Sequence, residues 1–130
     1  TGELLYKKLV AHGQGTGQLY AERFSNKNES HQSSLGFFKT AETYIGKHGF
    51  SLRLDGLQKG LNSAARQRAI VMHAADYVSE DFIKQNGYLG RSWGCPALPK
   101  EDFEAIVNEV ENGTLLLIYH PNLAAKSGTL

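Results

Sequence analysis

Residues 90–98 read GRSWGCPAL and hold the single Cys and the single Trp of a 130-residue chain, bracketed by Gly90, Gly94 and Pro96. A structural cysteine usually sits inside an element, where it packs as a small hydrophobe. Cys95 is placed otherwise. Gly94 lets a ligand come close to the backbone, and Pro96 fixes φ just after the sulfur. Such a turn presents a side chain and N–H groups on one side, which suits a reactive thiol; on these residues alone a buried, inert cysteine remains the alternative.

Outward from this turn, short runs rich in β-branched and aromatic residues recur at LYAERF (19–24), LGFFKT (35–40), FSLRL (50–54), AIVMHA (69–74) and TLLLIY (114–119), each bounded by Gly, Asn or Ser. In ELLYKKLVAH (3–12) the apolar Leu5, Leu9 and Ala11 lie two or four apart, so a half-buried strand is expected until HGQGTGQ (12–18) breaks it. The spacing predicts a mainly β domain. One longer helix is expected over 99–112, where Phe103, Ile106, Val107 and Val110 share a face, Pro99 fits the first turn and Gly113 the C-terminal cap. Two shorter helical pieces are expected at NSAARQ (62–67), capped by Asn62, and at SEDFIKQNG (79–87), between a Ser79 cap and Gly87.

Length and composition fit one folded domain over 1–130, with 41% apolar and 21% charged residues. Fourteen basic and 13 acidic side chains leave a net charge of +1, too little to attract nucleic acid. The apolar run LLLIY (115–119) is too short to cross a bilayer, so no membrane insertion by this segment is expected. One Cys permits no internal disulfide. The chain opens on Thr1, and TGELLYKKLV reads as the second half of a hairpin, so an N-terminal segment is expected to have preceded it.

A nucleophilic thiol needs a base. Five imidazoles are available, His12, His31, His48, His73 and His120, and His73 stands out because it closes the apolar run AIVM just before the chain breaks into AADYVSE. A strand end is a rigid mount for a base.

The pairing of IVMHAADYVSEDF (70–82) with GRSWGCPAL resembles the L,D-transpeptidase catalytic domain, in the branch whose cysteine motif reads S-W-G-C-P. VAHGQGTG (10–17), FSNKNESHQSSLGFFKT (24–40), YIGKHGFSLRLDGL (44–57) and TLLLIYHP (114–121) extend the likeness over nearly the whole chain. The resemblance implies a β-sandwich or barrel, a cysteine acyl-transfer mechanism on peptidoglycan stem peptides, and work in the periplasm or cell envelope. It implies no cofactor and no metal. In most of the superfamily a His stands two residues before the Cys; here Trp93 does, and an indole cannot accept a proton. The family layout then makes His73 the general base and Cys95 the nucleophile, with the Gly94 and Cys95 N–H groups facing the developing oxyanion and Ser92 orienting His73 or bonding the turn backbone.

Arg91 is a candidate for a substrate carboxylate, Trp93 for a wall of the cleft, and Tyr77 and Arg53 for its lining. His12 and His48, in Gly-rich loops, are further candidates to border it and to replace the base. Asp76 is a candidate partner for the imidazole or a turn residue, and His120 a strand-end residue. The expected chemistry is attack of Cys95 on the carbonyl before a terminal D-Ala, release of D-Ala, and transfer of the thioester-bound acyl group to an amine or to water. Two alternatives stand beside it: a binding module of the same fold that retains wall fragments, and a zinc hydrolase with a site built on His73, Asp76 and Cys95.

Overall fold

The runs LGFFKT and FSLRL pair as an antiparallel hairpin, and the rest of the sheet is assembled on it. The computed structural model describes residues 2–16, 25, 27, 32–92 and 94–121. β1 (Gly36–Gly46) and β2 (Gly49–Gly56) are joined by Lys47 and His48 alone, with Gly46 paired to Gly49. Gly49, at φ +81°, supplies the left-handed backbone that so short a turn requires. β3 (Val71–Ala74) adds antiparallel to β2, and β4 (Ala97–Leu98) adds parallel to β3. β5 (Leu115–Ile118) closes the other side, antiparallel to β1, giving the order β4-β3-β2-β1-β5. The fold is mainly β, as expected: a single curled sheet with two α-helices among the described residues.

The core lies between one face of this sheet and the second helix. Phe38, Leu52 and Leu54 are wholly buried, and Met72 and Leu98 extend the layer towards the site. α2 (Phe103–Val110) covers them with Phe103 and Val107, and the Phe103 ring meets Phe50 edge-on at 6.4 Å. Each such Leu or Phe is worth roughly 2 kcal/mol of burial, which fixes β2 and β3 as the rigid centre of the domain.

α1 (Glu80–Asn86) follows the expected signals. Ser79 accepts the Phe82 N–H at 3.0 Å, and Gly87 ends the helix at φ 84° with its N–H on Ile83 O. α2 is shorter than the 99–112 expected. Ala97 and Leu98 are drawn into β4, the chain turns through Pro99–Asp102, and Asp102 stands at the N-cap in left-handed backbone with its carboxylate on Lys8 at 2.9 Å. At the other end Glu111 is the cap, while Asn112 and Gly113 turn the chain back, their N–H groups on Ala41 O and Thr40 O.

NSAARQ is a run of turns rather than a helix. The Asn62 side chain is spent elsewhere: its Nδ2 donates to Leu35 O and Phe37 O, both at 2.9 Å, and its Oδ1 accepts the Gln58 N–H at 3.0 Å. The strand expected over 3–12 is also corrected. Residues 2–10 belong to no strand and leave Leu4, Leu5 and Val10 exposed; Ala11 alone bridges Ala97, because the edge it meets is only two residues long. LYAERF, His31 and Trp93 lie outside the described residues.

Candidate active site

β3 and β4 run parallel, with His73 opposite Ala97, so Cys95, two residues before Ala97, is brought alongside the start of β3. The Val71 N–H points at the sulfur at 3.4 Å, and the thiol points at Ala69 O at 3.6 Å. The cysteine turn is itself pinned. Ser92 Oγ donates to Cys95 O at 2.6 Å and accepts the Gly94 N–H at 3.2 Å, so this hydroxyl serves the turn rather than the imidazole. The Gly94 N–H, expected to face an oxyanion, is therefore engaged. Gly94 sits at φ +115°, and a Cβ there would lie 2.9 Å from Gln32 O and 3.1 Å from Arg68 Nη2, so both backbone shape and space demand glycine.

Cys95 is half-buried and opens on a cavity of about 360 Å³ that also presents His73, His48, Arg68, Tyr77, Arg91, Lys47 and Ser92. His73 is only 2% exposed, and its Nδ1 lies 3.1 Å from Ala74 O. A carbonyl can only accept, so this bond assigns the proton to Nδ1 and leaves the Nε2 lone pair for other work. Burial, the larger influence, and the nearby His48 hold the His73 pKa below that of an ordinary imidazole, whereas the bond to Ala74 O opposes them. The ring is thus neutral at pH 7. Burial pushes the Cys95 thiol up, and the Val71 N–H and the Arg68 charge pull it back.

Arg68, which sequence reasoning passed over, is a fixed cation beside this thiol. Its guanidinium donates to Ser25 O at 2.8 Å, to Ser34 Oγ at 2.6 Å and to Gln32 O at 2.6 Å. It sits in a run of turns with no pattern of its own; only the positive φ of Ala69 and the docking of Ser25, Gln32 and Ser34 bring it under Gly94.

Of the other expected residues, Arg91 and Tyr77 line the cavity and Arg53 and His12 do not. Arg91 donates to Leu89 O and Gly90 O while facing the Tyr88 ring, and Tyr77 packs so tightly on Gly90 that a Cβ there would lie 2.3 Å from its own. Arg53 is held away on the sheet by Glu42 at 3.3 Å and by the Tyr44 ring at 4.0 Å. His12 lines a different cavity of about 480 Å³, with His120, while its carbonyl takes the Ser92 N–H at 3.0 Å. Asp76 is exposed and paired with Lys100 at 3.0 Å, so it orients no imidazole and does not join His73 and Cys95 in a zinc site. Among the described residues no group of three or more His, Cys, Asp or Glu could hold a metal ion, and no helix is long and apolar enough to cross a membrane.

Comparison with curated proteins and with solved structures yields no match. The family profile of the L,D-transpeptidase catalytic domain matches residues 1–119, which include the whole cavity and both strands that build it. A cysteine turn on β4, an imidazole on β3 and a profile that spans both place this chain in the L,D-transpeptidase catalytic domain family.

Proposed function

We propose that this domain is a cysteine acyl-transfer enzyme of the cell envelope that cleaves peptidoglycan stem peptides before a terminal D-Ala. The observation that carries the reading is the shared cavity of Cys95 and His73, in which the imidazole keeps a free Nε2. His73 takes the thiol proton as the sulfur attacks the carbonyl carbon. Negative charge gathers on the carbonyl oxygen, and the Cys95 N–H and the Arg68 guanidinium are its stabilisers. The C–N bond then breaks, His73 returns the proton to the leaving D-Ala amine, and a thioester remains on Cys95. An acceptor amine from a second stem, or water, attacks that thioester with His73 again as base, giving a cross-link or a shortened stem. Arg91 and Lys47, on the same wall, suit the carboxylates of such a substrate. No step needs a cofactor.

The test is incubation with a tetrapeptide-bearing muropeptide, followed by mass. D-Ala release with a dimer is expected if an amine is the acceptor, and release alone if water is; Cys95→Ser should give neither. Absence of both products from the unaltered protein, with muropeptide retained on it, would replace this reading by that of a binding module.

A further inference from the structure

His48 occupies the second of the two residues that join β1 to β2, so the hairpin is as tight as it can be and its tip carries side chains outward. Both tip residues, Lys47 and His48, line the cavity of Cys95. The His48 ring lies flat on the His73 ring, with centroids 4.3 Å apart and planes 11° from parallel. His48 itself is exposed, whereas His73 beneath it is almost wholly buried. His73 is thereby fixed on two sides: in its plane by the bond from Nδ1 to Ala74 O, and across one face by the His48 ring.

We infer that His48 is a positioning residue for the reaction, an aromatic cover that stacks on the His73 base and holds its Nε2 in line with the Cys95 thiol. The inference rests on the reading of His73 as the base. A single hydrogen bond to Ala74 O still lets the imidazole plane tilt about the line from Nδ1 to that oxygen, and a ring lying on one face resists the tilt. Misplacing a general base by a fraction of an ångström lowers the rate without changing what the site binds. The stack also helps to bury the His73 ring, which is 2% exposed, and burial favours its uncharged, proton-accepting form. Neither task uses the nitrogens of His48. An aromatic ring without them should do as well, which separates a stacking role from acid–base work by His48 itself.

The experiment compares His48→Ala, His48→Phe and His73→Asn in the full chain, with D-Ala release from the tetrapeptide muropeptide measured for kcat and KM and folding checked by thermal melting. His48→Ala should lower kcat by about threefold to tenfold, the size expected of one aromatic pair, with KM within about twofold. His48→Phe should return kcat to within about twofold of the unaltered protein. If His73→Asn loses the activity but His48→Ala keeps it, the inference fails and the base assignment stands. A His48→Phe protein as slow as His48→Ala, both folded, would overturn stacking in favour of imidazole chemistry at position 48. Undiminished activity of His73→Asn would instead remove the base assignment on which the inference rests.

Discussion

At Cys95 three influences compete for one proton. Burial favours the thiol, while the Val71 N–H and the Arg68 guanidinium favour the thiolate, and burial prevails. At His73 burial likewise favours the uncharged ring. The resting pair is therefore neutral, thiol and imidazole, and in the proposed mechanism the proton moves only as a substrate carbonyl arrives. Without substrate, alkylation of Cys95 by iodoacetamide should be slow at pH 7 and rise only above the ordinary thiol range. Arg68→Met should move that rise to still higher pH. Fast alkylation at pH 6, unaffected by Arg68, would show a preformed ion pair instead. In the sequence Cys95 and His73 could be read because a turn rich in Gly and Pro and a strand end are local facts. Arg68 could not, and His48 was legible only as a residue bordering the cleft, since what they touch is decided by the docking of residues 25 to 43 positions away.

Elements are shaped by side chains whose hydrogen bonds are committed elsewhere. Ser79 and Gly87 end α1 because nothing competes for them, whereas Asn62 and Asp102, both plausible caps by residue type, serve other partners. On the outer face of the hairpin, Arg66 makes a forked contact with Asp55 at 2.6 and 3.1 Å and another with Glu42 at 3.0 and 3.1 Å. These bonds hold the Glu42 carboxyl down at about 2, from an ordinary 4.5, and lower that of Asp55 as well. A carboxyl whose folded pKa lies below its unfolded one stabilises fully above the unfolded value and less as pH falls through the folded value. The contribution should therefore be complete above about pH 4.5 and fade towards pH 2. Urea midpoints taken from pH 6 to pH 2 should fall less for Arg66→Gln than for the unaltered protein. Parallel curves would mean that these exposed contacts add nothing.

Across the whole molecule, the site exists because two distant stretches of chain become adjacent strands. His73 and Cys95 are 22 positions apart in sequence, yet the β3–β4 pairing sets them on one wall, with Ala11 and Gly13 bridging to Ala97 and Ser92 from outside. The mainly β fold was legible because the four apolar runs that form β1, β2, β3 and β5 are short and bounded by turn residues. The two-residue β4 was not, because AL carries no period of its own; residues 2–10 stay outside the sheet beside it, and α2 begins only after the chain has turned through 99–102. The core of Phe38, Leu52, Leu54 and Val107 then holds β2 and β3 in place behind the site.

The account turns on transfer of an acyl group to Cys95 with help from His73. Its most direct measurement is the intact mass of the protein after incubation with a carbapenem, whose strained amide carbonyl acylates an activated thiol. One added carbapenem mass on the unaltered protein, none on Cys95→Ser, and formation slowed about a hundredfold or more in His73→Asn are the predicted results. An unmodified protein, or an adduct that forms equally fast without the imidazole, would contradict it.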